Sequence, residues 1–296
     1  MRVLVTGVSG FSGSFVARAL AGAGHEVTGL NRRETRFLAT LRGVEGVTLV
    51  CSDLAGAASL EGPFEAVVHA AATSPASGVG TGRMVGDNVL GTRSLIDAAL
   101  GWRSRAFILF SSLSLYGSIS TPVVDEATPI VNPDAYGATK HLSELMLAER
   151  QEELPGLALR LPGVLGPGAH RNWLSSIAGR LVRDAAIRAF HLDMPFNNAV
   201  HVIDIAAFIL SLLERPLAGF EALVLGARGS IPVRHAIERL AAGVGARAMI
   251  EDVPAPKPAF TLCSEKAMAG WGYDPMEIGA LIDRYAADVK AFGAGS

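Results

Sequence analysis

The chain has 296 residues, half of them apolar and 18% charged, with a formal net charge of -2. That apolar fraction can build a well-buried core and argues against disorder, and the near-neutral charge gives no basic excess for a phosphate backbone, so nucleic acid is not an expected partner. The two cysteines, Cys51 and Cys263, have no CxxC spacing, which argues against a disulfide framework or a zinc site, so no metal is expected and a reducing cytoplasm is the expected compartment.

The first apolar run, Met1–Thr6, breaks at Gly7, so a secretory leader is not expected. No apolar stretch is long enough for a bilayer span, so no membrane association is expected. Val3–Thr6 reads as a buried strand and Ser12–Ala23 as an Ala-rich helix. Glu26–Leu30 is a second strand, Thr35–Arg42 a helix and Val47–Val50 a third strand. Ala66–Ala70 is a fourth strand, Met84–Leu100 a long helix and Ala106–Ser111 a fifth strand. Asn132-Pro133 suits a cap and first-turn proline for a helix over Asp134–Arg150, and Leu157–Leu161 is a sixth strand. Continuous apolar strands alternating with helices predict a doubly wound parallel α/β sheet of Rossmann type. The expected dinucleotide-binding domain covers residues 1–162.

After Pro162 the rhythm changes. Gly163–Gly168 and His191–Asn198 are rich in Gly, Pro and Asn, and Val253–Pro258 holds three prolines and reads as extended surface chain. Helical stretches (Trp173–Arg183, Ile203–Glu214, Val233–Val244, Pro275–Phe292) outnumber strands. Residues 163–296 are therefore expected to form a smaller, mostly helical substrate lobe, with about 199–226 returning to the core domain.

Between the first strand and first helix lies Gly7-Val8-Ser9-Gly10-Phe11-Ser12-Gly13. Its glycines permit a tight turn, let backbone N–H groups approach a pyrophosphate, and let helix and strand pack closely. A nicotinamide dinucleotide is the implied ligand, held by Gly7, Ser9, Gly10, Phe11, Ser12 and Gly13. At the end of the second strand, where an acidic residue would hold the ribose hydroxyls, the chain reads Asn31-Arg32-Arg33. Guanidinium groups suit a ribose 2′-phosphate, so NADP is favoured over NAD. The alternative is that Arg32 and Arg33 merely begin a solvated helix. Asp53 could meet the adenine amino group or be an ordinary loop aspartate.

Tyr136 and Lys140 are four residues apart, on one helical face and separated by about 6 Å along the axis. An ammonium beside a phenol favours the phenolate, lowering a pKa that starts near 10, and such a tyrosine can serve as a general acid/base.

With Asp53-Leu54, His69-Ala70-Ala71-Ala72, Asn88-Val89-Leu90-Gly91-Thr92, Ser111-Ser112 before Tyr116-Gly117, Arg160 with Gly166-Pro167, His201-Val202-Ile203-Asp204, and Ser264-x-Lys266-Ala267 with Gly270-Trp271, the chain resembles the extended short-chain dehydrogenase/reductase family, specifically its NAD-dependent epimerase/dehydratase group. The resemblance implies that Tyr136 is the acid/base, that Lys140 holds the nicotinamide ribose and tunes Tyr136, and that Ser112, with Ser114 as a substitute, hydrogen-bonds the reacting oxygen. It places Leu54, Ala70, Ala71 and Pro162 along the cofactor, makes Asn88 a brace, and gives His201 and Asp204 a structural role.

Three departures from the family pattern bear on substrate. Gly163 stands where sugar-nucleotide epimerases carry Asn, and Asn197-Asn198 where they carry Arg-Asp. Leu113-Ser114 replaces the Asp-Glu pair of sugar 4,6-dehydratases, which disfavours water elimination. The expected function is therefore a nucleotide-sugar epimerase acting by transient hydride transfer. The alternatives are an NADPH-dependent reductase or dehydrogenase and a non-catalytic cofactor-binding protein. His170, Arg171 and Lys257 are candidate phosphate grips or surface charges, and Trp173, Phe190 and Phe196 candidate pocket linings or core. Leu95, Ala98, Ala99, Leu142, Leu145 and Leu147 spread apolar surface around two outer helices, predicting a homodimer through a four-helix contact.

Overall fold

The computed structural model describes residues 1–75 and 78–292. The chain divides into two compact units: residues 1–118, 129–160 and 206–223 form the first, and residues 119–128, 161–205 and 224–296 the second.

The first unit opens with β1 (Arg2–Thr6), α1 (Phe11–Gly22), β2 (Glu26–Asn31), α2 (Arg36–Ala39), β3 (Val47–Cys51) and β4 (Ala66–His69). It continues with α3 (Thr81–Met84), a π-helical stretch over Val85–Leu90, α4 (Gly91–Trp102) and β5 (Ala106–Ser112). After a short β6 (Val123–Val124), which belongs to the second unit, come α5 (Ala135–Ala148) and β7 (Gly156–Leu161).

Further along the chain are β8 (Gly163–Leu165), α6 (Trp173–Val182), β9 (Ile187–Ala189), β10 (Pro195–Phe196), β11 (Ala199–His201) and α7 (Val202–Leu213). Then come β12 (Phe220–Val224), β13 (Ile231–Pro232), α8 (Val233–Val244), β14 (Ile250–Asp252), β15 (Thr261–Leu262) and α9 (Ile278–Phe292).

Seven strands make the central sheet in the order β12-β7-β5-β4-β1-β2-β3. The pairs β1–β2, β1–β4, β2–β3 and β4–β5 run parallel. Val3, Leu4, Val5, Val67, Val68, Phe107, Ile108 and Leu109 are all fully buried, as expected of a parallel sheet covered on both faces. The sequence expectation of a doubly wound α/β fold is borne out. The consecutive strands β3 and β4 lie on opposite sides of β1, so the strand order reverses between β1 and β4, where such folds open a crevice at the carboxyl ends of their strands.

Several local expectations are corrected. The helix expected over Thr35–Arg42 shortens to α2, capped by the Thr35 hydroxyl accepting from Leu38 N. The helix expected over Met84–Leu100 begins at Thr81 and widens into its π stretch. There the Asn88 carbonyl is claimed by the hydroxyls of Thr92 at 2.5 Å and Ser143 at 3.2 Å, and such side-chain insertions disturb the helical ladder. Pro133 lies outside α5; the N-cap is Asp134, whose carboxylate accepts from Gly137 N at 2.7 Å.

In the second unit, α6, α8, α9 and a π-helical stretch over Lys266–Gly270 carry most of the helical residues. Strands nevertheless outnumber helices there, in two-stranded pairs of two or three residues: β8–β11, β9–β14, β6–β15 and β10–β13. The Gly- and Pro-rich segment 163–168 contains β8, whose Gly163, Val164 and Leu165 pair with Ala199, Val200 and His201 of β11. Such short pairs carry too few residues for a period-2 pattern to be legible.

Candidate functional site

The Gly7–Gly13 turn sits between β1 and α1. Gly7 adopts φ +75°, and a Cβ there would lie 2.6 Å from Ala71 N and 2.8 Å from the Ala70 carbonyl carbon. Only glycine fits where the end of β4 passes so close. The turn is closed by Gly7 N donating to Leu30 O at 3.1 Å and Gly10 N to Gly7 O at 2.8 Å. The Thr35 hydroxyl pins it from outside by donating to Ser9 O at 2.7 Å. Gly10, at the N-cap of α1, offers no side chain to the first turn, which leaves an N-terminus suited to an anion. Phe11 turns inward, its ring 5.4 Å from that of Phe15 and 5.8 Å from that of Phe37, while Ser12 and Gly13 continue the first turn. This glycine-rich cradle fits a dinucleotide pyrophosphate.

Beside it, Ala71 N donates to the Thr6 hydroxyl at 3.2 Å, and Thr6 Oγ1 lies 2.7 Å from His69 Nδ1. His69 Nε2 lies 2.8 Å from Thr92 Oγ1, which donates to Asn88 O. Because Thr92 spends its proton on that carbonyl, it accepts from His69 Nε2–H, and Nδ1 accepts from Thr6. The imidazole is therefore neutral, in keeping with a pKa lowered to about 3 by burial and by the Lys140 charge.

Asn88 braces this region. Its Oδ1 accepts from Thr73 N at 2.7 Å, and its Nδ2 donates to Thr73 O and Thr139 Oγ1, each at 3.0 Å.

Tyr136 and Lys140 both lie on α5. Gly137, between them, brings that helix onto the turn Leu113–Tyr116; a Cβ there would lie 2.1 Å from Ser114 O. Ser112 ends β5, and its hydroxyl caps that turn, accepting from Ser114 N at 3.1 Å and donating to Ser114 Oγ at 3.2 Å. The Lys140 ammonium is buried, donates to Phe110 O at 2.7 Å, and lies 5.9 Å from the centroid of the Tyr136 ring. Ser112, Tyr136 and Lys140 thus gather at the carboxyl end of β5, two strands from the glycine turn.

The electrostatics correct the sequence expectation. Burial, aided by the Asp134 carboxylate, pushes the Tyr136 phenol up to about 12. Burial likewise brings Lys140 down to about 8, against the opposing pull of Glu144. Lys140 donates to a backbone carbonyl, and desolvation is the larger effect on the phenol.

The remaining sequence-selected residues sort by location. Asn31 is buried at the end of β2, while Arg33 is exposed. Arg32 forms an ion pair with Asp87 at 3.0 Å and donates to Thr73 Oγ1 at 3.3 Å. Asp53 is exposed, and its carboxylate accepts from Gly56 N at 2.9 Å, capping the short turn that follows. Leu54 packs against Gly91. Pro162, directly after β7, is half-buried.

In the second unit, Asn197 is buried and bridges Leu262, with bonds of 2.8 Å and 2.9 Å. It serves packing where the family usually carries a charge. His201 Nδ1 accepts from Ile203 N at 3.2 Å, so its Nε2 donates to Asp288 at 2.9 Å. Asp204 accepts from Met276 N at 3.1 Å. Trp173 and Phe190, for which core packing was an option, are 36% and 38% exposed. Trp173 lies 5.2 Å from Phe196, between ring centroids. His170 lies 3.2 Å from Gly168 O, and Arg171 and Lys257 are exposed. Among the described residues no helix is long and apolar enough to cross a membrane, and no cluster of side chains is suited to a metal.

Residues missed by the sequence reading are Thr73, Asp87 and Glu144. Asp87 directly precedes the quoted Asn88 motif, but its partner Arg32 is 55 positions away in sequence, so no local spacing pairs them.

A model of the NAD dependent epimerase/dehydratase family matches residues 3–226. A D-erythronate dehydrogenase of Cupriavidus necator is 31% identical over 62% of this chain and 62% of its own. A UDP-glucose 4-epimerase of Streptomyces lividans is 26% identical over 96% of this chain and 95% of its own. The UDP-glucuronic acid 4-epimerase of Bacillus cereus, solved in complex with NAD, superposes with TM-score 0.85 at 21% identity, covering 100% of this chain and 99% of that one. The chain spans between 57% and 62% of some curated relatives. The family match covers most of the chain and includes the glycine turn, Ser112, Tyr136 and Lys140: the chain belongs to the NAD dependent epimerase/dehydratase family.

Proposed function

We propose that the chain is an enzyme that epimerises a nucleotide-linked sugar by transient oxidation of a hydroxyl group. The observation that carries this reading is the assembly of Ser112, Tyr136 and Lys140 at the carboxyl end of β5, two strands from the glycine-rich turn at Gly7. The relatives named UDP-glucose 4-epimerase support the substrate class.

The residues that would hold the dinucleotide are the Gly7–Gly13 turn at the pyrophosphate, Ala70 and Ala71 along its length, and Lys140 at the nicotinamide ribose. When bound, the nicotinamide supplies a reversible hydride acceptor. As the phenolate, Tyr136 Oη takes the proton from the reacting hydroxyl, becoming the phenol, and returns that proton when the carbonyl is reduced again. Ser112 Oγ donates a hydrogen bond to the same oxygen as it gains carbonyl character. Lys140, with its pKa near 8, carries positive charge at neutral pH and lowers the cost of a transient phenolate.

The sequence reading favoured NADP on the strength of Arg32 and Arg33. The pairing of Arg32 with Asp87 moves our proposal to NAD, the cofactor in the family's name.

A second reading, a dehydrogenase whose cofactor exchanges at each turnover, draws on Gly163 and Asn197 standing where substrate-gripping residues are usual, and on the D-erythronate dehydrogenase relative. Incubating the protein with UDP-glucose, UDP-glucuronic acid and NAD, and following C4 inversion by NMR, tests the first reading. Net cofactor reduction without inversion would favour the second.

We also infer a two-fold dimer through the outer helices of the first unit. Of the residues expected at this face, Leu95, Ala98, Ala99 and Leu147 are instead buried in the core, while Leu142 and Leu145 are 45% and 46% exposed on one face of α5 and Leu90, in the π-helical stretch, is 59% exposed.

A further inference from the structure

We propose that Asp87 sets the dinucleotide preference of this site by occupying Arg32. This rests on the reading that the glycine turn holds a nicotinamide dinucleotide. Arg32 is the residue immediately after β2, where the adenosine ribose is recognised in folds of this kind. A guanidinium there would grip a 2′-phosphate by charge-assisted hydrogen bonds.

Instead, Arg32 Nη1 lies 3.0 Å from Asp87 Oδ2, and Nη2 donates to Thr73 Oγ1 at 3.3 Å. The Thr73 hydroxyl in turn donates to the same Asp87 oxygen at 2.5 Å. Arg83, one helical turn before Asp87, adds a second guanidinium at 3.7 Å. Burial alone would raise the Asp87 carboxyl; the Thr73 bond and the two arginines outweigh it and hold the group below its ordinary value. Asp87 is therefore an anion at neutral pH.

A 2′-phosphate carries roughly two negative charges. To reach Arg32 it must displace Asp87 or bind beside it, and either costs favourable charge pairing. A ribose 2′-hydroxyl meets no such repulsion. Asp87 comes from the helix after β4, not from the end of β2 where a ribose-binding carboxylate usually sits. It thus does by neutralising Arg32 what an acidic residue on β2 would do by direct contact.

The test is calorimetric titration of NADH and NADPH into the wild type, Asp87→Asn and the double variant Asp87→Asn/Arg32→Ala, with thermal melts to confirm folding. Asp87→Asn is expected to tighten NADPH about five- to tenfold with NADH nearly unchanged, and adding Arg32→Ala is expected to abolish that gain. If Asp87→Asn does not fold, Asp87→Ser carries the same expectation. A ratio of NADPH to NADH affinity unmoved by the Asp87 variant, or a gain that survives loss of Arg32, overturns the proposal while leaving the cofactor site intact. A wild type that binds neither dinucleotide overturns the cofactor reading, and this proposal with it.

Discussion

The Glu144 carboxylate holds the Arg160 guanidinium by two edges, with Nε at 3.1 Å and Nη2 at 2.7 Å. Both side chains are almost wholly inside the first unit. The Ser111 hydroxyl donates to the same carboxylate, and Arg160 Nη1 donates to the Tyr116 hydroxyl at 2.8 Å. The network joins α5, β5 and β7, with Glu144 four residues after Lys140 on α5. Removing one charge would strand the other, so Glu144→Gln is expected to cost about 3–5 kcal/mol of stability, measured by urea unfolding. A loss below about 1 kcal/mol would contradict the pairing.

Tyr136→Phe removes only the hydroxyl and leaves the half-buried ring. We expect an unchanged melting temperature and dinucleotide affinity, with turnover abolished. Residual turnover above roughly a tenth of wild type would remove Tyr136 from the acid/base role.

His69 is neutral and buried in the native state, with a pKa of about 3 against an ordinary 6.5. Between those values the unfolded chain binds a proton that the native chain does not. Stability therefore falls as pH drops below about 6.5, by up to roughly 1.4 kcal/mol per pH unit from this group. Denaturant melts at pH 7.0, 6.0 and 5.0 should show that slope. His69→Gln, though destabilised overall, should flatten it, and an unchanged slope in the variant would refute the assignment.

Gly7→Ala places a methyl against the Ala71 backbone at a positive φ. We expect a loss of stability of about 1–3 kcal/mol together with loss of dinucleotide binding, read by thermal melt and by titration. An alanine variant that binds NADH normally would show that the turn is not the pyrophosphate cradle.

Leu145→Glu puts a charge into the apolar face proposed for dimerisation. Light scattering at micromolar concentration should give a dimer for the wild type and a monomer for the variant. A monomeric wild type would reject the interface.

The sequence by itself determined the alternation of strand and helix, the glycine turn after β1 and the Tyr136–Lys140 spacing. Each is a local pattern: continuous apolar runs, a dense glycine triplet, and two residues one helical turn apart. A local pattern says which residue types are present and how they are spaced. It does not say what surrounds them.

Only the tertiary structure decided the charge states and partners. Tyr136 reads as a phenol with a lowered pKa; burial, aided by the Asp134 charge, raises it, because desolvation depends on neighbours from the whole fold. Arg32 read as a phosphate grip; a carboxylate on the helix after β4 pairs with it. The small strand pairs of the second unit were illegible because two or three residues carry no periodicity, and their partners lie far away in the chain. The sign of an electrostatic effect is set by groups distant in sequence and close in space, and folding alone brings those groups together.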